Sequence, residues 1–204
     1  MPAALILAGG RGERLGGVIK SGLVVGGARL LDRVADRLAG CEPLLVAHGR
    51  IDPELLQLPA GMVPVPDLDG DYAGPLAGVA GAIADLNGLE TPPELLISVA
   101  VDTPFLPEDF VARLVDGLGE APAAIASYAG QPYPTNAIWR VSRFRDLPER
   151  VASGSAQRSL KSLAAAAGGI QVEWQVTAAG DPFANVNTPA DLAELQRRAS
   201  VAGA

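Results

Sequence analysis

Residues 7–20 read Leu-Ala-Gly-Gly-Arg-Gly-Glu-Arg-Leu-Gly-Gly-Val-Ile-Lys and follow the apolar run Ala3-Ala4-Leu5-Ile6. Five glycines (Gly9, Gly10, Gly12, Gly16 and Gly17) let the backbone turn tightly and bring its N–H groups close to a ligand. Arg11, Arg14 and Lys20 add positive charge. Such a loop suits a polyphosphate. Neither common phosphate motif fits it. P-loop spacing counted from Gly12 reaches Gly17, but Val18 then stands where the lysine belongs, and Lys20 comes two residues late. The dinucleotide fingerprint counted from Gly10 finds Gly12, then Leu15 in place of the third glycine. The alternative reading is a glycine-rich surface turn.

Further candidates are acidic or amide-bearing. Asp102 ends the apolar stretch 95–101 and precedes Thr103-Pro104. A carboxylate at the end of a buried strand can hold Mg²⁺ against phosphate oxygens, or it can simply cap a turn. Residues 66–78 place Asp67, Asp69 and Asp71 between a strand and a helix. Asp67 and Asp71 could bind a metal, or accept the adjacent N–H donors of a guanine; a solvated acidic turn is the other reading. In Asn185-Val186-Asn187-Thr188-Pro189, either Asn187 or Thr188 caps a helix, which leaves the other oxygen free as a ligand. Arg158 and Lys161 form either a solvated helix face or a second anion contact. His48 is the only histidine and reads as a surface residue, so the sequence offers no convincing Ser-His-Asp arrangement.

Alternating strands and helices must position these groups. Apolar runs predict strands at 3–7, 44–47, 62–65, 95–101, 123–127, 136–140 and 171–176. Helices are predicted at 29–39, 75–86, 107–118 and 156–167, with a last one from about Thr188-Pro189. The alternation predicts a three-layer α/β/α, Rossmann-like domain with a mostly parallel sheet, spanning 1–198, and a flexible tail at 199–204. Ligands on such sheets bind at the carboxyl ends of the strands, where most of these motifs fall.

The 204 residues are 49% hydrophobic and 19% charged, a globular composition. The net charge of −7 disfavours non-specific binding to nucleic acid or anionic membranes, so phosphate chemistry needs a local positive site. Cys41 is alone, which excludes an internal disulfide and a cysteine zinc cluster. The first apolar run is too short for a signal peptide, and no stretch has the length of a membrane span. A soluble cytoplasmic protein is expected.

Taken together, the motifs resemble the molybdenum cofactor guanylyltransferase family of nucleotidyltransferases, from Ala3 to about Leu195. Leu7–Lys20 is similar to the family's nucleotide loop. Gly74-Pro75-Leu76-Ala77-Gly78, with Asp67 seven residues ahead, resembles its guanine-side segment. Val101-Asp102-Thr103-Pro104-Phe105 resembles its metal aspartate, Phe183–Pro189 its carboxy-terminal signature, and Tyr133-Pro134-Thr135 its His-Pro segment. The resemblance implies that Leu7, Ala8, Gly9, Gly10 and Lys20 contact GTP, that Asp67 contacts guanine, and that Asp102 and Asn187 hold Mg²⁺. Lys20 and Arg14 would offset the triphosphate charge. Three positions depart from the family pattern: Ile19 stands for Asp, Ala47 for Asn and Tyr133 for His.

The implied reaction transfers GMP from GTP to the phosphate of the molybdopterin-bound cofactor and releases pyrophosphate. A phosphate oxygen is already an ionised nucleophile, so no general base is needed. Implied partners are GTP, the molybdopterin cofactor, and cofactor-biosynthesis or molybdoenzyme-chaperone proteins. The alternatives are a related nucleotidyltransferase using CTP or a sugar phosphate, a non-catalytic nucleotide-binding protein, and, third, a dinucleotide-dependent oxidoreductase.

Overall fold

The computed structural model describes residues 1–68 and 74–202. Seven strands form the main sheet: β1 (Ala3–Leu7), β2 (Leu44–Ala47), β3 (Met62–Val65), β4 (Leu95–Ala100), β5 (Ala123–Tyr128), β6 (Gln131–Arg140) and β7 (Ile170–Trp174). Their order across the sheet is β7-β5-β6-β4-β1-β2-β3. β1 pairs in parallel with β2 and β4, β2 with β3, and β7 with β5. Among the described residues only β6 runs against the rest, pairing antiparallel with β4 and β5. The mostly parallel sheet is the one the alternation predicts.

β1 is apolar throughout and β4 is apolar but for Ser98, because helices cover both faces of the sheet. Successive side chains of a strand point to opposite faces, and the core divides accordingly. Ala4, Ile6, Val46, Ile97 and Val99 pack with α1 (Leu30–Arg37) and α3 (Phe110–Leu118). Leu5, Leu45, Leu96 and Trp139 pack with α2 (Pro75–Asn87), α4 (Leu147–Ala152) and α5 (Leu160–Ala167). A third cluster joins Val25 and Leu30 to Val186 and to Leu195 of α6 (Pro189–Ala202). It fastens the segment after the glycine loop to the carboxy-terminal helix.

Several boundaries differ from the sequence reading. α3 starts at Phe110 rather than Pro107, because the Pro107 carbonyl accepts the Phe110 amide in a preceding turn and the Trp174 indole donates to Asp109. α5 starts at Leu160, where Ser159 and Ser162 form a reciprocal capping box. β6 begins at Gln131, five residues early. The six-residue α4 is an element the reading did not anticipate. The tail expected from 199 is helical as far as Ala202, and Ala199 packs into the third cluster. Ala199 sits so close to Gly26 that a Cβ there would lie 2.7 Å from its methyl.

Candidate active site

The central strands end level with one another, since Leu7 is in register with both Ala47 and Ala100. The loops that follow carry Ala8–Gly10, His48-Gly49 and Asp102. Two backbone bonds lock these exits together: the Ala8 amide donates to the Ala47 carbonyl at 2.8 Å, and the Val101 amide to the Leu7 carbonyl at 3.2 Å. Ala8 is therefore buried with its amide already engaged, and Leu7 is half-buried. Gly9 and Gly10 are exposed, and their amides have no partner among the described residues. These are the donors a polyphosphate could take. The Gly9 and Gly49 loops touch through bare backbone. A Cβ on Gly9 would stand 2.9 Å from the Gly49 Cα, and Gly49 itself has φ +59°.

Lys20 opens a short 3₁₀ turn, Lys20–Gly22, just beyond the small ladder that pairs Arg11 with Ile19. That ladder folds the glycine loop back on itself and aims the lysine at the strand ends. Its Nζ donates to Asp102 Oδ2 at 2.6 Å and to Asn187 Oδ1 at 2.7 Å. The Lys20 and Asp102 side chains are only 11% and 13% exposed, so this pair is screened far less than a surface one. Three residues separated by 82 and 167 positions thus meet at one point.

The turn bearing Asp102 is braced on both sides. Thr103 N donates to the Ala100 carbonyl, the Asp102 carbonyl accepts the Val186 amide, and the Thr103 hydroxyl donates to Asn185. The choice between Asn187 and Thr188 as helix cap is also resolved. The Thr188 hydroxyl accepts the Asp191 amide, while the Asp191 carboxylate accepts the amides of Asn187 at 3.0 Å and Thr188 at 2.8 Å. These bonds, Asn187 first, hold the Asp191 carboxyl below the ordinary carboxylate range. Thr188 takes the capping role and leaves the Asn187 side chain to face Lys20.

Asp67 lies on the other side of Leu7, half-buried just after β3. Its Oδ1 accepts the Gly49 amide at 3.2 Å. Burial pushes its carboxyl above the usual carboxylate value, against the Gly49 hydrogen bond and the neighbouring His48, which pull it down. α2 approaches closely because it begins with small residues. A Cβ on Gly78 would stand 2.8 Å from Leu7 Cδ2 and 3.5 Å from Asp67 Oδ1, and one on Gly81 would stand 2.2 Å from the Pro66 carbonyl oxygen. Asp71 lies outside the described residues.

Other expected residues fall less centrally. Arg14 is exposed in the turn Glu13–Leu15, with no ion pair or hydrogen bond among the described residues. The Arg11 side chain lies outside the described residues. Arg158 and Lys161 are exposed at the start of α5. Of the departures, Ile19 packs against the core and Ala47 is fully buried in it. Tyr133 donates its hydroxyl to Asp181 and sets its ring 5.1 Å from that of Phe183. Burial first, then Asp181, pushes this phenol above the ordinary tyrosine value. His48 is not the surface residue expected; it is half-buried, with Nδ1 2.8 Å from the Ile51 carbonyl oxygen. Asp181, Asp191 and Asn136 escaped the sequence reading. Only Asp191 carried a signal, the capping pattern Thr188-x-x-Asp191.

Residues 4–166 match the model of the MobA-like NTP transferase domain. The chain belongs to this family. A molybdenum cofactor guanylyltransferase of Mesorhizobium japonicum is 36% identical over 204 residues, covering 96% of this chain and 94% of its own. Among solved structures, molybdopterin-guanine dinucleotide biosynthesis protein A from Archaeoglobus fulgidus superposes with a TM-score of 0.72 at 21% identity, covering 98% of this chain and 100% of its own. Rv0371c of Mycobacterium tuberculosis, solved as a complex with manganese, gives a TM-score of 0.67 at 16% identity, covering 97% of this chain and 100% of its own. The MobA-like fold thus accounts for nearly the whole chain.

The family resemblance implies a divalent metal, and the donors at Lys20 bear on it. Asp102 and Asn187 direct two hard oxygens at a single cationic point, held in this structure by the lysine ammonium. Carboxylate and amide oxygens are the chemistry Mg²⁺ takes. No third His, Cys, Asp or Glu completes a metal cluster among the described residues. That suits an ion which keeps several waters and is held by one or two protein groups plus substrate phosphates. The residues fit the group.

Proposed function

We propose that this MobA-like NTP transferase uses GTP to guanylylate the terminal phosphate of molybdopterin-bound molybdenum cofactor, releasing pyrophosphate. The observation that carries the reading is the meeting of Lys20, Asp102 and Asn187 beside the amides of Gly9 and Gly10, which have no partner among the described residues. The guanylyltransferase name borne by its 36% identical relative supports the choice of base and acceptor.

On this reading the glycine loop and Lys20 bind the triphosphate and orient its α-phosphorus toward the acceptor phosphate. The acceptor oxygen attacks, a P–O bond forms to the GMP moiety, and the bond to pyrophosphate breaks. The nucleophile is already ionised, so no protein base takes a proton. Catalysis then rests on alignment and on charge neutralisation by Lys20, with Arg14 at the exposed rim. Asp102 and Asn187 would hold Mg²⁺, which when bound neutralises phosphate charge; the manganese complex of Rv0371c supports a divalent ion at this fold. Asp67 would accept guanine N1–H and N2–H together, an edge that cytosine lacks.

Thermal shift with GTP, CTP, ATP and NAD, each with and without Mg²⁺, tests the reading. GTP with Mg²⁺ should raise Tm most. A larger shift with CTP would make the chain a cytidylyltransferase, and one with NAD alone would remove it from transfer chemistry.

A further inference from the structure

The end of β4 is not held as a regular ladder would hold it. Val101 donates its amide to β1, so Ala100 turns its amide the other way, toward β6. The β4–β6 ladder runs only as far as Ala137 opposite Ser98; continued in step, it would bring residue 135 opposite Ala100. β6 instead bulges. Its register against β5 jumps from Tyr133–Ala126 to Ala137–Ile125, which leaves Pro134, Thr135 and Asn136 without β5 partners. The Asn136 side chain fills the gap, its Oδ1 accepting the Ala100 amide at 3.1 Å. Asn136 is fully buried, and its Nδ2 has no partner among the described residues. A buried amide group with half of its capacity unused is costly, so what it does with the other half calls for a reason.

We infer that Asn136 is a positioning residue for Asp102. It fixes the last amide of β4, two residues before the carboxylate, where the backbone of β6 has turned away. The inference rests on the proposed role of Asp102 as a metal holder. It assigns work to the Asn136 carbonyl oxygen and none to its amide nitrogen.

The test uses the full chain and Mn²⁺ as probe, with binding read by electron paramagnetic resonance without nucleotide. Asn136→Leu, which removes the acceptor, should weaken Mn²⁺ binding by roughly tenfold or more, as loss of an outer-shell partner does. It should lower kcat while leaving KM for GTP near wild type, and speed hydrogen exchange at the Ala100 amide. Asn136→Asp, which keeps an oxygen there, should restore slow exchange and kcat. A folded leucine variant with unchanged Mn²⁺ affinity and kcat overturns the inference. So does an aspartate variant with slow Ala100 exchange but impaired Mn²⁺ binding and kcat. Should the leucine variant fail to fold, the aspartate variant decides alone by the same readouts. A wild type that binds Mn²⁺ yet never turns over GTP defeats the proposed function and leaves this inference to the Mn²⁺ measurements.

Discussion

On one side of Leu7, Lys20, Asp102 and Asn187 are tied side chain to side chain; on the other, Asp67 is held through the backbone amide of Gly49. The first group is drawn from distant parts of the chain and braced by Asn185, Val186, Thr188 and Asp191. The second depends on closeness of backbones, with Gly9 against Gly49 and Gly78 against Leu7. On the proposed reading, charge must be pinned beside the phosphate, because Coulomb attraction weakens in inverse proportion to distance. A base edge, on the same reading, needs one acceptor, which Asp67 offers beside the close glycine contacts. The two sides should therefore fail differently.

The largest effect is expected at Asp102. Asp102→Ala should abolish nucleotidyl transfer, a loss of several kcal/mol at the transition state, while leaving the fold intact because the Asp102 carbonyl still accepts Val186. A folded variant with near-normal kcat at saturating Mg²⁺ would break the contrast at its strongest point.

Lys20→Ala comes next. GTP binding should weaken by about 1.5–3 kcal/mol, the range for hydrogen bonds to charged groups, as measured by calorimetry. Unchanged affinity would restrict Lys20 to a structural tie between Asp102 and Asn187.

Asp67→Asn tests the other side, and its effect should be on choice rather than rate. The kcat/KM ratio of GTP to CTP should fall more than the rate with either nucleotide, since unpaired polar groups in a site discriminate strongly. Stability should move the opposite way. An acid whose folded pKa is raised costs stability above that pKa, and the cost fades as pH falls through it. Asp67 is raised by burial, so the asparagine variant should melt above wild type at pH 7, and the gap should close as the solution is acidified. A variant that melts lower at pH 7 with an unaltered base ratio would return Asp67 to the loop.

Arg14 should matter least. Exposed and without a partner among the described residues, it can offer only screened attraction. Arg14→Ala should cost about 1 kcal/mol or less in GTP binding, and the difference should vanish in high salt. A loss as large as that of Lys20→Ala would mean that the loop closes over the nucleotide.

Much of this architecture could be read from pattern. Alternating apolar runs placed the strands, because a sheet covered on both faces is predominantly apolar, and Asp102 stood out as a carboxylate at the end of such a run. Gly74–Gly78 was readable as a special helix start, though not that Gly78 lies against Leu7 and Asp67. The pairing of Lys20 with Asp102 was hidden, since nothing local links residues 82 positions apart. α4 was missed because six residues starting Leu-Pro carry too little periodicity to register. Asn136 gave no sign at all: its task exists only because β6 bulges, and the bulge depends on how three strands meet.

Lys20 waits for its partners in time as well as in space. The ladder from Arg11 to Ile19 is local and can close early, whereas Lys20 cannot reach Asn187 until 167 further residues have been made. At ribosomal rates of about 5–20 residues per second, that interval is on the order of ten seconds. Contacts of such sequence separation also form late in folding, after local structure is in place. A nascent chain therefore has Asp102 from about the midpoint of synthesis but carries its lysine without Asn187 until near the end. The three-way meeting of Lys20, Asp102 and Asn187 is complete only near the end of translation, and an amino-terminal fragment that stops short of residue 187 cannot form it.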